Sequence, residues 1–256
     1  MAEIGYGYGS EWQLLRFLGR HRNKFEETIK EAIKNILEIE FKEGFQWLDF
    51  EFSDNPSKSI TGDVELKGLS FLEDLLPREI YKKIDLEYKE TKINKLDAWQ
   101  NWDAVFKLGN TIFFVEAKAH KDELKSETKN NGGKSYDNIY KFFENQMKVK
   151  GIYPNSKWMG RYYQFANRLS TIAMLKKHLN PKFDAKLLYV YFVNGYHKRI
   201  VSAGKICQIY SKSKNASKKD FEEAIMLEKD ELGLKEIDLK EYVIDLFVDA
   251  ETGKSI

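Results

Sequence analysis

Apolar residues recur along this chain at two periods, and the switch between them lays out its elements. Phe25, Ile29, Ala32, Ile33, Ile36 and Leu37 fall at helical spacing, as do Tyr136, Ile139, Tyr140, Phe143 and Met147. The longest such stripe is Trp158, Tyr162, Phe165, Ala166, Leu169, Ile172 and Ala173, within a helix expected over 158–179. Arg161, Gln164, Arg168 and Thr171 share another side of that helix. Ser10 and Gln13 are spaced as a capping box, with Ser10 as N-cap of a first helix. Runs rich in β-branched and aromatic residues predict strands at 45–53, 102–108, 111–118, 185–194 and 241–249. Residues 62–92 have no clear period, so about 60–95 reads as an insertion. The polar run at 120–135 reads as a long loop or frayed helix, and 219–234 as an acidic helix. No repeat is visible. The order predicts one α/β domain over residues 1–256, a mixed sheet with helices on both faces.

Charges break the pattern at one hairpin. In "NWDAVFKLGNTIFFVEAK" the Gly109-Asn110 pair is a two-residue turn signal. That turn sets Leu108 against Thr111 and, counting outward, Asp103 against Glu116. Their Cβ atoms would lie roughly 4.5–5.5 Å apart, with Lys118 on the face of Glu116. Like charges in facing positions oppose pairing, so neutralising Glu116 is expected to cost the metal-free protein no stability. A divalent cation between the two removes the conflict, since Mg²⁺ takes one or two carboxylates plus water and phosphate. The Ala117 carbonyl adds a further oxygen, and Lys118 would stand beside metal-bound water, suited to stabilising an attacked phosphate. The alternative is a surface hairpin whose charged ends face water, Lys118 pairing with one carboxylate. Arg22 and Glu26 also fall on the apolar stripe of their helix. Either they form an i,i+4 salt bridge, or Glu26 is a further metal ligand.

Composition narrows the chemistry. Cys207 is the only cysteine, and His21, His120, His178 and His197 lack metal-ligand spacing, which leaves carboxylate oxygens for a metal. "GGKS" is no P-loop, because Thr128 stands where glycine is required. "GYGYG" has no preceding strand and is no dinucleotide fingerprint. No apolar run approaches a membrane span. Residues 1–13 lack the basic start and apolar run of a signal peptide, so a cytoplasmic protein is expected. The net charge of +2 decides nothing, but its distribution is uneven. Seven basic residues and no acid lie between His197 and Lys219, Lys198 and Arg199 among them. From Asp220 onward twelve acids face four lysines. A basic loop at about 196–219 beside an acidic tail marks either a phosphate-binding surface or a solvated loop and helix.

With "WDAV" (Asp103), "FFVEAKAH" (Glu116, Lys118) and "YYQFANRL" (Gln164) in this order, the chain resembles the PD-(D/E)xK nuclease superfamily, of restriction-endonuclease-like fold. Within it, the segments are similar to those of a prokaryotic group sharing an LGRHR start, a WD…VEAKAH centre and a YYQxANRL helix. Trp102 stands where the superfamily pattern has proline. The resemblance implies a nuclease that hydrolyses phosphodiester bonds, in DNA, with Mg²⁺ or Mn²⁺. It assigns Asp103 and Glu116 as metal ligands, Lys118 as the residue that orients or activates water, and Gln164 as a neighbour of the site. DNA is then the expected partner, held by Arg161, Arg168, Lys198 and Arg199. A homodimer is compatible with this reading, and no membrane association is expected. A nucleic-acid-binding protein that no longer cleaves and a metal-dependent hydrolase of small phosphate esters are the rivals.

Overall fold

The computed structural model describes residues 10–19, 21–48, 66–93, 100–126, 132–194, 199–200, 208–209 and 217–256. The chain is α/β. A five-stranded mixed sheet has the order β1 (Phe45–Trp47), β4 (Ala104–Leu108), β5 (Thr111–Lys118), β6 (Asp184–Val193) and β9 (Val243–Asp249). β1, β4 and β5 are antiparallel neighbours, while β6 and β9 continue parallel to β5. Leu108 faces Thr111 and Ala104 faces Val115, the register expected from the turn. Gly109 alone of the two turn residues has positive φ, at 58°, as in a type II′ turn.

Helices cover both faces. Helices α1 (Ser10–Leu18) and α2 (Arg22–Leu37) bury Phe17, Phe25, Ile29 and Ile33 against Phe106, Phe113, Val115 and Val190. Ser10 is the first helical residue of α1 rather than its N-cap. The opposite face of the sheet carries α5 (Lys134–Lys148), α6 (Tyr163–Leu179) and α7 (Lys218–Glu231), over Val105, Phe114, Leu187, Tyr189 and Tyr191. Both faces of β5 are therefore apolar, the condition under which a strand loses its polar alternation.

The segment expected to be an insertion is ordered where described. Strand β2 (Leu66–Lys67) pairs with β3 (Asn101–Trp102), and α3 (Leu72–Leu75) precedes α4 (Arg78–Glu90). Only Ile84 and Tyr88 of α4 are buried, too narrow a stripe to stand out as a period. The first strand is described over Phe45–Trp47 alone, and residues 49–53 of that expectation lie outside the described residues. Helix α6 starts at Tyr163, after a 3₁₀ turn at Ser156–Met159. It packs on β6 and is covered in turn by α4 and α5, so its polar residues Asn167, Arg168, Ser170 and Thr171 are buried too. Of the basic loop, only β7 (Arg199–Ile200), β8 (Gln208–Ile209) and the residues from Ser217 on are described. No described helix is long and apolar enough to cross a membrane.

Candidate active site

The site forms where β4 leaves the ladder. Asp103 is a bend between β3 and β4, and its N–H donates to the Val115 carbonyl at 3.2 Å. Its carboxylate closes the gap, with Oδ2 accepting from the Ala117 N–H at 2.6 Å. Trp102 anchors this bend from the other side. It is fully buried, donates Nε1–H to the Gly68 carbonyl at 2.9 Å, and packs on Phe114 with ring centroids 4.7 Å apart. The N–H and C=O of a strand residue point the same way, so the Ala117 carbonyl faces the Asp103 side as well.

Glu116 and Lys118 share the β5 face that α6 covers. Lys118 Nζ lies 2.6 Å from Glu116 Oε1 and 3.1 Å from Gln164 Oε1. Arg168 Nη2 lies 2.6 Å from Glu116 Oε2, an ion pair that lacks hydrogen-bond alignment. Arg168 also donates to the Asn101 carbonyl at 3.0 Å and stands 5.6 Å over the Trp102 ring. Side-chain exposure is 2% for Glu116, 8% for Lys118 and 6% for Arg168. This is no surface hairpin with charged ends in water, although Lys118 does pair with a carboxylate. Gln164 sits in the first turn of α6, where its backbone N–H donates to Ser126 Oγ at 3.0 Å. The first turn of α6 thus meets Lys118 through Gln164, and Arg168, one turn on, meets Glu116.

The two carboxyls have different environments. Burial and the nearby Glu116 charge push Asp103 well above the usual carboxylate range, against the pull of Lys118 and Arg168. Burial works against the Lys118 charge, but Glu116 and Asp103 outweigh it and hold its pKa above the ordinary value. Lys118 is therefore held as an ammonium beside these two carboxyls. Glu116 is the common partner of two buried cations, which weighs against the expectation that neutralising it is free of cost.

The other expected residues are placed apart or differently. Arg168 is a wall of the site, buried against Glu116 rather than set on an open surface. Arg161 is half exposed and lies 3.6 Å from Glu231. Glu26 rides on α2, which covers the opposite face of the sheet, and accepts from Trp47 Nε1 at 2.7 Å. It is not brought to Asp103 and Glu116. Arg199 lies in β7, and Lys198 lies outside the described residues. Among the described residues no three His, Cys, Asp or Glu side chains gather into a metal-binding group. The pattern of residues did not single out Glu228 of α7, which is 1% exposed and feels the Lys118 charge. Its signal lies in the sequence, as a carboxylate on the apolar stripe Phe221, Ile225, Leu232. No family model, no curated protein and no solved structure matches the chain.

Proposed function

We propose that this protein is a divalent-metal-dependent nuclease of restriction-endonuclease-like fold that hydrolyses phosphodiester bonds, with DNA as substrate. The observation that supports it most is the meeting of Asp103, Glu116, Lys118 and Gln164 from three elements at the point where β4 and β5 part. The donor set suits a hard cation: two carboxylates, with the Ala117 carbonyl turned the same way. The unusual proton affinity of Asp103 fits it too, since a cation there would relieve the repulsion from Glu116. Asp103 and Glu116 would hold Mg²⁺ or Mn²⁺. A cation so held polarises the scissile phosphate and lowers the pKa of a bound water.

The side chains supply the remaining terms. Lys118 keeps its charge and stabilises the negative charge that grows on the attacked phosphate. Gln164 fixes the direction of that ammonium through its Oε1. Arg168 adds a second positive charge on the same wall, held in place by the Asn101 carbonyl. Trp102 and its bond to Gly68 keep the Asp103 bend rigid. One observation favours the non-cleaving rival: Glu116 is already compensated by Lys118 and Arg168, so the fold does not need a metal to settle its charge.

A cleavage screen separates the two readings. Single-stranded, double-stranded, branched and damaged DNA and RNA are incubated with Mg²⁺ or Mn²⁺ and either wild type or Lys118→Ala. The proposal expects metal-dependent cleavage of at least one DNA substrate by wild type and its loss in the variant. Binding without cleavage by wild type on every substrate returns the protein to the non-catalytic class.

A further inference from the structure

The two oxygens of Glu116 are held in different ways. Oε1 accepts a hydrogen bond from Lys118 Nζ at 2.6 Å. Oε2 lies 2.6 Å from Arg168 Nη2, yet it is buried and takes no hydrogen bond. The Arg168 contact is one of charge, off the direction a hydrogen bond needs, so the lone pairs of Oε2 are not committed to it. A buried acceptor in this condition calls for an explanation. An oxygen kept open for a hard cation supplies one.

The two positive groups also differ in how they are tied. Lys118 ends on a flexible four-carbon stem, and Gln164 Oε1 at 3.1 Å gives its ammonium a second hold. Arg168 is fixed from three further sides. It donates to the Asn101 carbonyl at 3.0 Å and to the Gln164 carbonyl at 3.5 Å, and its guanidinium stands 5.6 Å over the Trp102 ring. An arginine does not lose its proton in a protein. This one is 6% exposed, and charges so far from water act on one another strongly. Asp103 and Glu116 are thus matched by Lys118 and Arg168, and the site has no net negative charge to offer a metal. Lys118 can turn its charge away from an arriving cation. Arg168 cannot.

Resting on the metal-site reading above, we propose that Arg168 is a positioning residue that makes the site take its divalent cation and a phosphodiester together. Its fixed charge holds Glu116 in place and holds down the affinity for a cation alone. A phosphodiester anion on the same wall offsets that charge. Each ligand then raises the affinity for the other by the same factor. The protein stays largely free of metal until a nucleic-acid backbone reaches the site.

Mn²⁺ binding to the full chain, followed by the paramagnetic signal of the free ion, tests this with dimethyl phosphate as the probe phosphodiester. Wild type is expected to bind Mn²⁺ about tenfold more tightly with excess dimethyl phosphate than without it. Arg168→Met is expected to bind Mn²⁺ alone about tenfold more tightly than wild type, and to gain less from the probe. Arg168→Lys keeps the charge and is expected to stay near wild type. Equal wild-type affinity with and without the probe, or an Arg168→Met affinity no higher than wild type, overturns the coupling and leaves the metal site standing. Arg168→Lys matching Arg168→Met also overturns it, because packing and not charge would then be the cause. Failure of wild type to bind Mn²⁺ under either condition overturns both. If Arg168→Met does not fold, the two wild-type titrations decide alone.

Discussion

Replacing Glu116 by Gln tests how charge is balanced inside the site. Its side chain is 2% exposed and touches Lys118 Nζ and Arg168 Nη2, each at 2.6 Å. The change keeps the shape and removes the anion that two buried cations share. Removing one partner of a buried pair costs about 3–5 kcal/mol, because the remaining charge is left uncompensated. Part of this is recovered here. Glu116 is part of what raises the Asp103 pKa, while Lys118 and Arg168 lower it, so the loss of Glu116 shifts Asp103 toward its ionised form beside them. The low end of the range, about 3 kcal/mol, is the expected cost. In a domain of this size each kcal/mol moves Tm by roughly 2–4 °C, giving a fall of about 6–12 °C without metal. Asp103→Asn should behave oppositely. It removes the proton-hungry partner while Asn Oδ1 still accepts from the Ala117 N–H, so Tm should hold or rise. Thermal unfolding of both variants in EDTA at pH 7 measures the contrast. Glu116→Gln melting within about 2 °C of wild type would refute the charge assignment, given the shift per kcal/mol above.

Lys118→Ala should lower cleavage by about 10²–10³, as loss of a transition-state donor does, with Mn²⁺ affinity by calorimetry nearly unchanged. Gln164→Ala should lower cleavage less than Lys118→Ala does, and at saturating metal its loss should appear in kcat rather than KM. Trp102→Phe leaves the Gly68 carbonyl without its buried donor and should cost about 1–3 kcal/mol, read by urea unfolding. Asp103 and Glu228 are both raised above the ordinary carboxylate range by burial first, with Glu116 and Asp245 adding to it. Their folded forms therefore favour the proton. The stability they contribute is fully present below the unfolded value near ~4 and is lost as pH rises through their folded values. The metal-free difference in Tm between Asp103→Asn or Glu228→Gln and wild type should grow as pH rises, and a difference independent of pH would refute the sign.

The hairpin is legible in the sequence because its information is local. A Gly-Asn turn fixes register by counting, and the observed pairs follow that count from Leu108 against Thr111 to Ala104 against Val115. The count fails one step later, at Asp103. There the chain bends to join β2, and the carboxylate bonds to the Ala117 N–H instead of facing Glu116 across a regular ladder. Two residues distant in sequence, Leu66 and Trp102, pair on the far side of that bend, and no local pattern announces it. The same limit explains Arg168. Helical spacing correctly sets it beside Gln164, and an arginine on a polar side reads as a solvent-facing cation. Its burial follows from α4 and α5 lying over α6, a tertiary fact. Glu228 lies between these cases. Its stripe can be read by period alone, yet an acidic helix disguises one buried carboxylate among several exposed ones. What separates Glu228 from Glu222 and Glu223 is phase: it stands three residues after Ile225 and four before Leu232, while they fall on exposed positions between Phe221 and Ile225. A charge in phase with the apolar positions on both sides is a stronger pointer to a site than a run of charges out of phase. Glu116 obeys the same rule in a strand, in phase with Ile112 and Phe114.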